Sequence, residues 1–393
     1  MSDTAIGTTG SSVSFGPAAR SDAKAADKEH VIDAMRGFAA LLVAYFHCRQ
    51  VEWVGMQSFH HAGKTFDLNT IVAYLTLPIA WGSAGVPIFF VISGYCIHRG
   101  AARRLAANPA YQLDAMNFWA RRFARIYPVL FAALLLTFAL DWTSLHFPPV
   151  NHKILDIGPK AFLVNLFSLQ GVAGKTYGSN GALWTLSIEV QFYAVYPLLF
   201  ALRRRLGMLP VLALVAAVNI ASAFVFERHD LQFFTSYWFS WTLGAWIAER
   251  QVALDAQTPR RPWLMYSAAA LLIALGCVAF HFGQYLAFQT WALGFACYLS
   301  EALKPRRTND TPLVRVLSRF GDFSFSLYSI HLPIFVLLSS VVYRSALQMS
   351  IFPTFGFMGV AVAVAWVFYR CVELPAIKWS ASMGARPLRG HPL

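Results

Sequence analysis

The residues of this chain best suited to chemistry stand where ionisable side chains are costly, within or at the edge of long apolar runs. His47 lies eleven residues after Arg36, in a run that opens Asp33-Ala-Met-Arg36-Gly37. On a helix that spacing sets the imidazole roughly 16 Å beyond the guanidinium. Imidazole is suited to proton transfer near neutral pH, although a structural histidine bonded to a neighbouring helix would satisfy the same pattern. Arg122 and Arg125, in Arg121-Arg122-Phe-Ala-Arg125-Ile-Tyr127-Pro128, are three apart and share a helix face. Such a pair can grip phosphate through bidentate contacts, or simply anchor the helix at the membrane's inner face. Glu189 falls one turn into an apolar helix, in Gly181-Ala-Leu-Trp184-Thr-Leu-Ser187-Ile-Glu189-Val-Gln191-Phe-Tyr193. Trp184 and Tyr193 fit an aromatic interface belt; Glu189 does not, and its structural alternative is a buried ion pair. A second intramembrane imidazole, His331, follows Tyr328 by three residues in Phe323-Ser-Phe-Ser-Leu-Tyr328-Ser-Ile-His331-Leu-Pro333, where packing with a satisfied hydrogen bond would serve equally. Gly85-Val-Pro87 through Ser93-Gly94-Tyr95 allows a kink and close backbone approach.

Elements of a particular kind must position these groups. Of the 393 residues 57% are hydrophobic and only 13% charged, with mean hydropathy +0.50, too little charge to clothe a soluble domain. Apolar runs of membrane-crossing length recur near 32–52, 74–98, 121–140, 184–202, 208–226, 232–249, 263–281, 285–303, 322–343 and 352–371. They predict an all-α polytopic transmembrane bundle of about ten spans. The stretch 157–170 is too short to cross and is expected to be re-entrant or interfacial, packed in protein or lining a cavity.

The net charge of +13 is not a nucleic-acid patch, because the basic residues punctuate the apolar runs. With the N-terminus inside, 25 of the 32 Lys and Arg residues fall in inner segments, so both termini are expected to be cytoplasmic. Residues 1–29, rich in Ala, Ser and Gly without an apolar core, read as a disordered cytoplasmic tail and not a signal peptide. Residues 30–378 read as the membrane domain and 379–393 as a cytoplasmic C-terminal tail. The five cysteines (48, 96, 277, 297 and 371) fit no zinc or redox spacing and read as small apolar residues. Walker, dinucleotide and HExxH motifs are absent, as is any internal repeat.

Taken in order, these segments resemble the acyltransferase 3 family of bacterial membrane acyltransferases, from about residue 31 to 376. The resemblance rests on Arg36 and His47 in the first span, Phe89–Tyr95 in the second, and Arg122 and Arg125 with Tyr127-Pro128 before the third. It continues through Trp184, Glu189, Phe192 and Tyr193, then Ser326–Pro333, and ends in Glu373-Leu-Pro375. It implies transfer of an acyl group, usually acetyl, from cytoplasmic acyl-CoA to a hydroxyl on the far face, in a bacterial inner membrane. Some members carry a fused extracytoplasmic domain; this chain has no Gly-Asp-Ser block, and a stand-alone enzyme is expected.

In this reading Arg36, Arg122 and Arg125 hold the CoA phosphates, and His47 is general base or, alternatively, carries the acyl group. Glu189 orients the sugar or His47, while Trp184, Tyr193, Tyr328 and His331 contact the substrate. The expected partners are acetyl-CoA or another acyl-CoA, membrane lipid, and a carbohydrate acceptor such as a polysaccharide repeat unit or lipid-linked oligosaccharide. Neither a metal nor a nucleic acid is expected. The competing class is a multi-span carbohydrate transporter or exporter, which leaves the arginine pair and the deep histidine without a shared purpose.

Overall fold

The structure is a computed structural model that describes residues 17–61, 67–229, 231, 233–254, 262–284, 286–304 and 311–383. The backbone groups of its apolar runs pair within helices, as hydrocarbon surroundings require. In chain order the helices are α1 (Pro17–Glu52), α2 (Gly55–His61) and α3 (Leu68–Leu75), then a 3₁₀ stretch Leu77–Ala84 leading into α4 (Gly85–Ala107). There follow α5 (Ala115–Ser144), α6 (Pro159–Leu166), α7 (Trp184–Leu206), α8 (Met208–Val225), α9 (Trp238–Ala253), α10 (Pro262–His281) and α11 (Ala287–Ala302). The chain closes with α12 (Pro312–Asp322), α13 (Ser324–Tyr343), α14 (Phe352–Phe368), a π-helical turn Tyr369–Glu373 and α15 (Leu374–Ser382). Among the described residues the only β pairing is two isolated bridges.

The all-α polytopic class holds. Among the described residues, eight helical stretches are long and apolar enough to cross a membrane. The other two expected spans, 232–249 and 285–303, fold as α9 and α11, of 16 residues each. A 3₁₀ turn Phe234–Ser236 and non-helical Tyr237 delay the start of α9, and left-handed Leu286 (φ 69°) precedes α11. The expected span 74–98 is broken between α3 and α4, at Thr76 and again at Trp81 (φ −97°, ψ 25°), and its helix runs on to Ala107.

The tail expected over 1–29 is helical from Pro17 onward; residues 1–16 lie outside the described residues. The local sequence explains it, since Pro17 sits at a first helical position and Ala-rich sequence favours a helix. At the other end α15 continues to Ser382, and residues 384–393 lie outside the described residues. The short stretch 157–170 forms α6, eight residues long, and then a loop that leads back to α7.

Glycines set the closest crossings. A Cβ on Gly94 would lie 1.9 Å from the carbonyl oxygen of Trp241, and one on Gly244 would lie 1.9 Å from that of Val91. Helices α4 and α9 therefore touch backbone to backbone. The same holds for α1 and α12, where a Cβ on Gly37 would meet Leu317 O at 2.1 Å and one on Gly321 would meet Asp33 O at 2.0 Å.

In-helix prolines make a second kind of joint. A proline leaves the carbonyl four residues earlier without its helical donor. Pro197 frees the carbonyl of Tyr193, which accepts from Trp119 Nε1 on α5 at 2.9 Å. Pro333 frees the carbonyl of Ser329, which accepts from Asn180 Nδ2 at 2.8 Å. Asn180 also donates to Thr137 Oγ1, and its neighbour Ser179 binds the buried Asp141 carboxylate through backbone N (2.7 Å) and Oγ (2.6 Å). The loop before α7 is thereby clamped to α5 and α13.

Candidate active site

Helices α1, α4, α5, α7 and α13, with the α12 end and the π turn, enclose a cavity of about 300 Å³, at the small end of the range for ligand sites. Its polar wall carries Arg36, Arg122, Arg125, Glu189, Tyr193 and Tyr328, together with Ser93, Cys96, Asp33, Asp322 and Glu373. Three arginines thus come from two helices to one space. Arg36 is partly engaged, donating to Asp33 Oδ1 at 2.9 Å and to Cys96 Sγ at 3.1 Å. Arg122 and Arg125 make no hydrogen bond among the described residues, and Arg122 Nε is buried without a partner. The Arg122 guanidinium lies 5.6 Å from the ring centroid of Phe118 and 5.9 Å from that of Tyr193. Unpaired buried donors are expensive, so this wall is suited to an anion.

Acidic groups stand at the same end. Glu373 accepts from Ser326 N at 3.0 Å and Ser326 Oγ at 2.5 Å, capping the first turn of α13. Asp322 closes α12; burial pushes its carboxyl up, Asp33 adds to the rise and His30 opposes it.

Glu189 is held on one edge. Ser93 Oγ donates to its Oε1 at 3.1 Å, the Tyr193 hydroxyl donates to the same atom, and Trp241 Nε1 donates to Ser93 Oγ at 3.2 Å. The α4–α9 crossing is therefore what positions the carboxylate. Thr185, Glu189 and Tyr193, at intervals of four, form the face of α7 that looks into the cavity. Tyr328 receives a hydrogen bond from Thr185 Oγ1 at 2.8 Å, and its ring meets Phe89 edge-on at 5.3 Å.

The histidines pair with each other. His47 Nδ1 lies 2.8 Å from His331 Nε2, and His331 Nδ1 lies 2.9 Å from the carbonyl oxygen of Leu327. His331 is fully buried, whereas His47 is partly accessible, with the Lys153 ammonium within electrostatic reach. Neither ring is on the cavity wall. Tyr328, whose ring is 5.9 Å from that of His331, stands between.

Of the residues singled out in the sequence, Arg36, Arg122, Arg125, Glu189, Tyr193 and Tyr328 share the cavity; His47, His331 and Trp184 do not. Two of these residues have partners that the sequence did not indicate. His47 is met by His331 and not by Glu189, whose partners are Ser93 and Tyr193. Trp184 is turned to another face of α7 and packs on Tyr237 (5.3 Å) and Phe288 (6.4 Å), because five residues along a helix rotate it well away from Glu189. Sequence reasoning read Cys96 as a small apolar residue and Ser93 as part of a kink-permitting segment; only the helix register after Arg36 and Glu189 are fixed in space puts them on the wall. It also passed over buried His98, bonded to Tyr196 (3.0 Å) and Glu249 (2.8 Å), the latter in turn held by Arg203. Among the described residues no three His, Cys, Asp or Glu side chains are grouped to hold a metal ion.

A polytopic helical bundle with an arginine-walled cavity beneath a histidine pair defines the class. The chain belongs to the acyltransferase 3 family, whose profile, described as an acyltransferase domain, matches residues 29–370. It is similar to nodulation protein 10 of Rhizobium leguminosarum bv. viciae, 28% identical over 209 residues, covering 50% of each chain. It also resembles the putative membrane-bound transacylase BcsY of Komagataeibacter xylinus, 26% identical over 77% of this chain and 72% of that one. The peptidoglycan O-acetyltransferase OatA of Listeria monocytogenes is 32% identical over 34% of this chain and 22% of its own. The chain thus spans about half the length of the nodulation protein and less of OatA. No solved structure matches it.

Proposed function

We propose that this protein is an O-acyltransferase of a bacterial inner membrane, moving an acyl group, acetyl by preference, from cytoplasmic acyl-CoA to a carbohydrate hydroxyl. The observation that carries this is the convergence of Arg36, Arg122 and Arg125 on one cavity, with Arg36 eleven residues before His47 on the same helix. The arginine end faces the cytoplasm by the distribution of Lys and Arg. Arg122 and Arg125, which make no hydrogen bond among the described residues, take the CoA phosphates, and the pantetheine arm rises along α1 past Tyr328.

At His47 the acceptor hydroxyl oxygen attacks the thioester carbonyl carbon. The C–S bond breaks and CoA leaves as thiolate. His47 takes the hydroxyl proton and passes it to the sulfur, so the products are the acylated acceptor and CoA-SH. Glu189 binds the donor or acceptor from the cavity side. A carbohydrate acceptor, such as a polysaccharide repeat or its lipid-linked precursor, is supported by relatives named for peptidoglycan O-acetylation.

The test is free-CoA release from acetyl-CoA by purified protein, with lipid and polysaccharide extracts as acceptors. Wild type is expected to release CoA, and His47→Ala to lose about 10²- to 10⁴-fold in rate while still binding acetyl-CoA. Failure of the wild type to bind or turn over acetyl-CoA with every acceptor would overturn the assignment.

A further inference from the structure

A general base needs a bare lone pair, and a histidine has one only in the right tautomer. The geometry of the pair settles which nitrogen that is. The Leu327 carbonyl can only accept, so the 2.9 Å contact requires a proton on His331 Nδ1. A neutral His331, fully buried, then has an unprotonated Nε2. That atom can only accept across the 2.8 Å contact, so His47 carries its proton on Nδ1. In neutral His47 the remaining nitrogen, Nε2, is therefore bare.

The rings support a true hydrogen bond. Their planes are within 13° and their centroids 5.1 Å apart, as expected for near-coplanar rings meeting edge to edge. Rings stacked face to face at a 2.8 Å nitrogen contact would have much closer centroids.

We infer that His331 is a positioning residue for His47: through the chain from Leu327 C=O to His331 to His47 it fixes the tautomer and ring orientation that leave His47 Nε2 free to take the acceptor's proton. This rests on the acyltransferase reading above and replaces the substrate contact expected of His331. The proton balance is simple. When Nε2 takes the hydroxyl proton, His47 Nδ1–H still donates to His331 Nε2, and the bond becomes charge-assisted. When Nε2 gives the proton to the CoA sulfur, the starting tautomer returns. His331 contributes no atom to the products.

The anchor of this chain lies far along the sequence. Leu327 and His331 sit on α13, whose first turn is capped by Glu373, while Asn180 fixes the same helix at Ser329.

The experiment combines kinetics with ¹⁵N-histidine magnetic resonance on the full chain in lipid. His331→Leu removes the acceptor; His331→Gln retains one, its amide oxygen able to receive the His47 proton. The expectation is that His331→Leu lowers kcat by about a hundredfold with KM for acetyl-CoA unchanged, that His331→Gln recovers most of it, and that wild-type His47 shows protonated Nδ1 and bare Nε2. The inference is overturned if His47 carries its proton on Nε2, if His331→Leu keeps wild-type kcat, or if the loss appears in KM alone. Should wild type show no turnover, the acyltransferase reading falls, and the resonance result still decides the tautomer.

Discussion

The three arginines of the cavity are alike in type and differ in what they are free to do. Arg36 is spoken for by Asp33 and Cys96, whereas Arg122 has a buried Nε without a partner. A phosphate-binding role therefore weighs most on Arg122. Arg122→Gln is expected to raise KM for acetyl-CoA by about 10- to 100-fold, the worth of one or two hydrogen bonds to a charged group, with little change in kcat; steady-state kinetics at fixed salt reads it. Much of this was legible residue by residue. Charges in apolar sequence are few, and position 36, the 122/125 pair and position 189 stood out without a structure. Their partners did not. That Glu189 leans on Ser93 and Tyr193, and that His47 faces His331 across 284 positions of sequence, follow from helix adjacency, which no local pattern encodes.

Helices come together here at positions where something is missing: a Cβ at the glycines, an N–H at the prolines. Gly94 and Gly244 let α4 and α9 meet through their backbones, and that contact brings Trp241 to Ser93 and Ser93 to Glu189. Gly244→Ala would force the two backbones apart. It is expected to destabilise the protein by about 1–3 kcal/mol, seen as a lower Tm in detergent, and to reduce turnover by displacing Glu189. The carbonyl freed by Pro333 is used by Asn180, which also bonds Thr137. Asn180→Ala leaves that buried carbonyl unsatisfied, with an expected loss of about 1–3 kcal/mol, checked by the same melt and by faster proteolysis of the 167–180 loop. Each proline was visible in the sequence, and so was the carbonyl it would free; the donor that fills the gap was not, because it comes from another element. The late starts of two expected spans have a related reason. Hydropathy saw the apolar run, while backbone breaks at Tyr237 and Leu286 decided where α9 and α11 could start.

At the scale of the whole molecule the chain divides its labour. Helices α1, α4, α5, α7 and α13 carry the motifs and the cavity, whereas α8 to α11 carry no cavity-lining residue and support the site from behind through the α4–α9 contact. Composition and the spacing of apolar runs were enough to announce a bundle, and the motif order was enough to announce its family. The arrangement around one off-centre space came only with the structure. An enzyme that, as proposed above, hands a group from one side of a membrane to the other also faces a problem of electrical insulation. The cavity ends at the edge-to-face rings of Phe89 and Tyr328, and the histidines lie beyond them. With no pantetheine arm between them, those two rings are expected to act as a dielectric plug, keeping the arginine wall and the histidine pair from joining in a continuous wet path along which protons would short-circuit the membrane potential. Phe89→Ala, which removes half the plug, is expected to make proteoliposomes leak protons down an imposed pH gradient while wild-type vesicles hold it; equal leak rates in the two would show that the bilayer's insulation is kept elsewhere in the bundle.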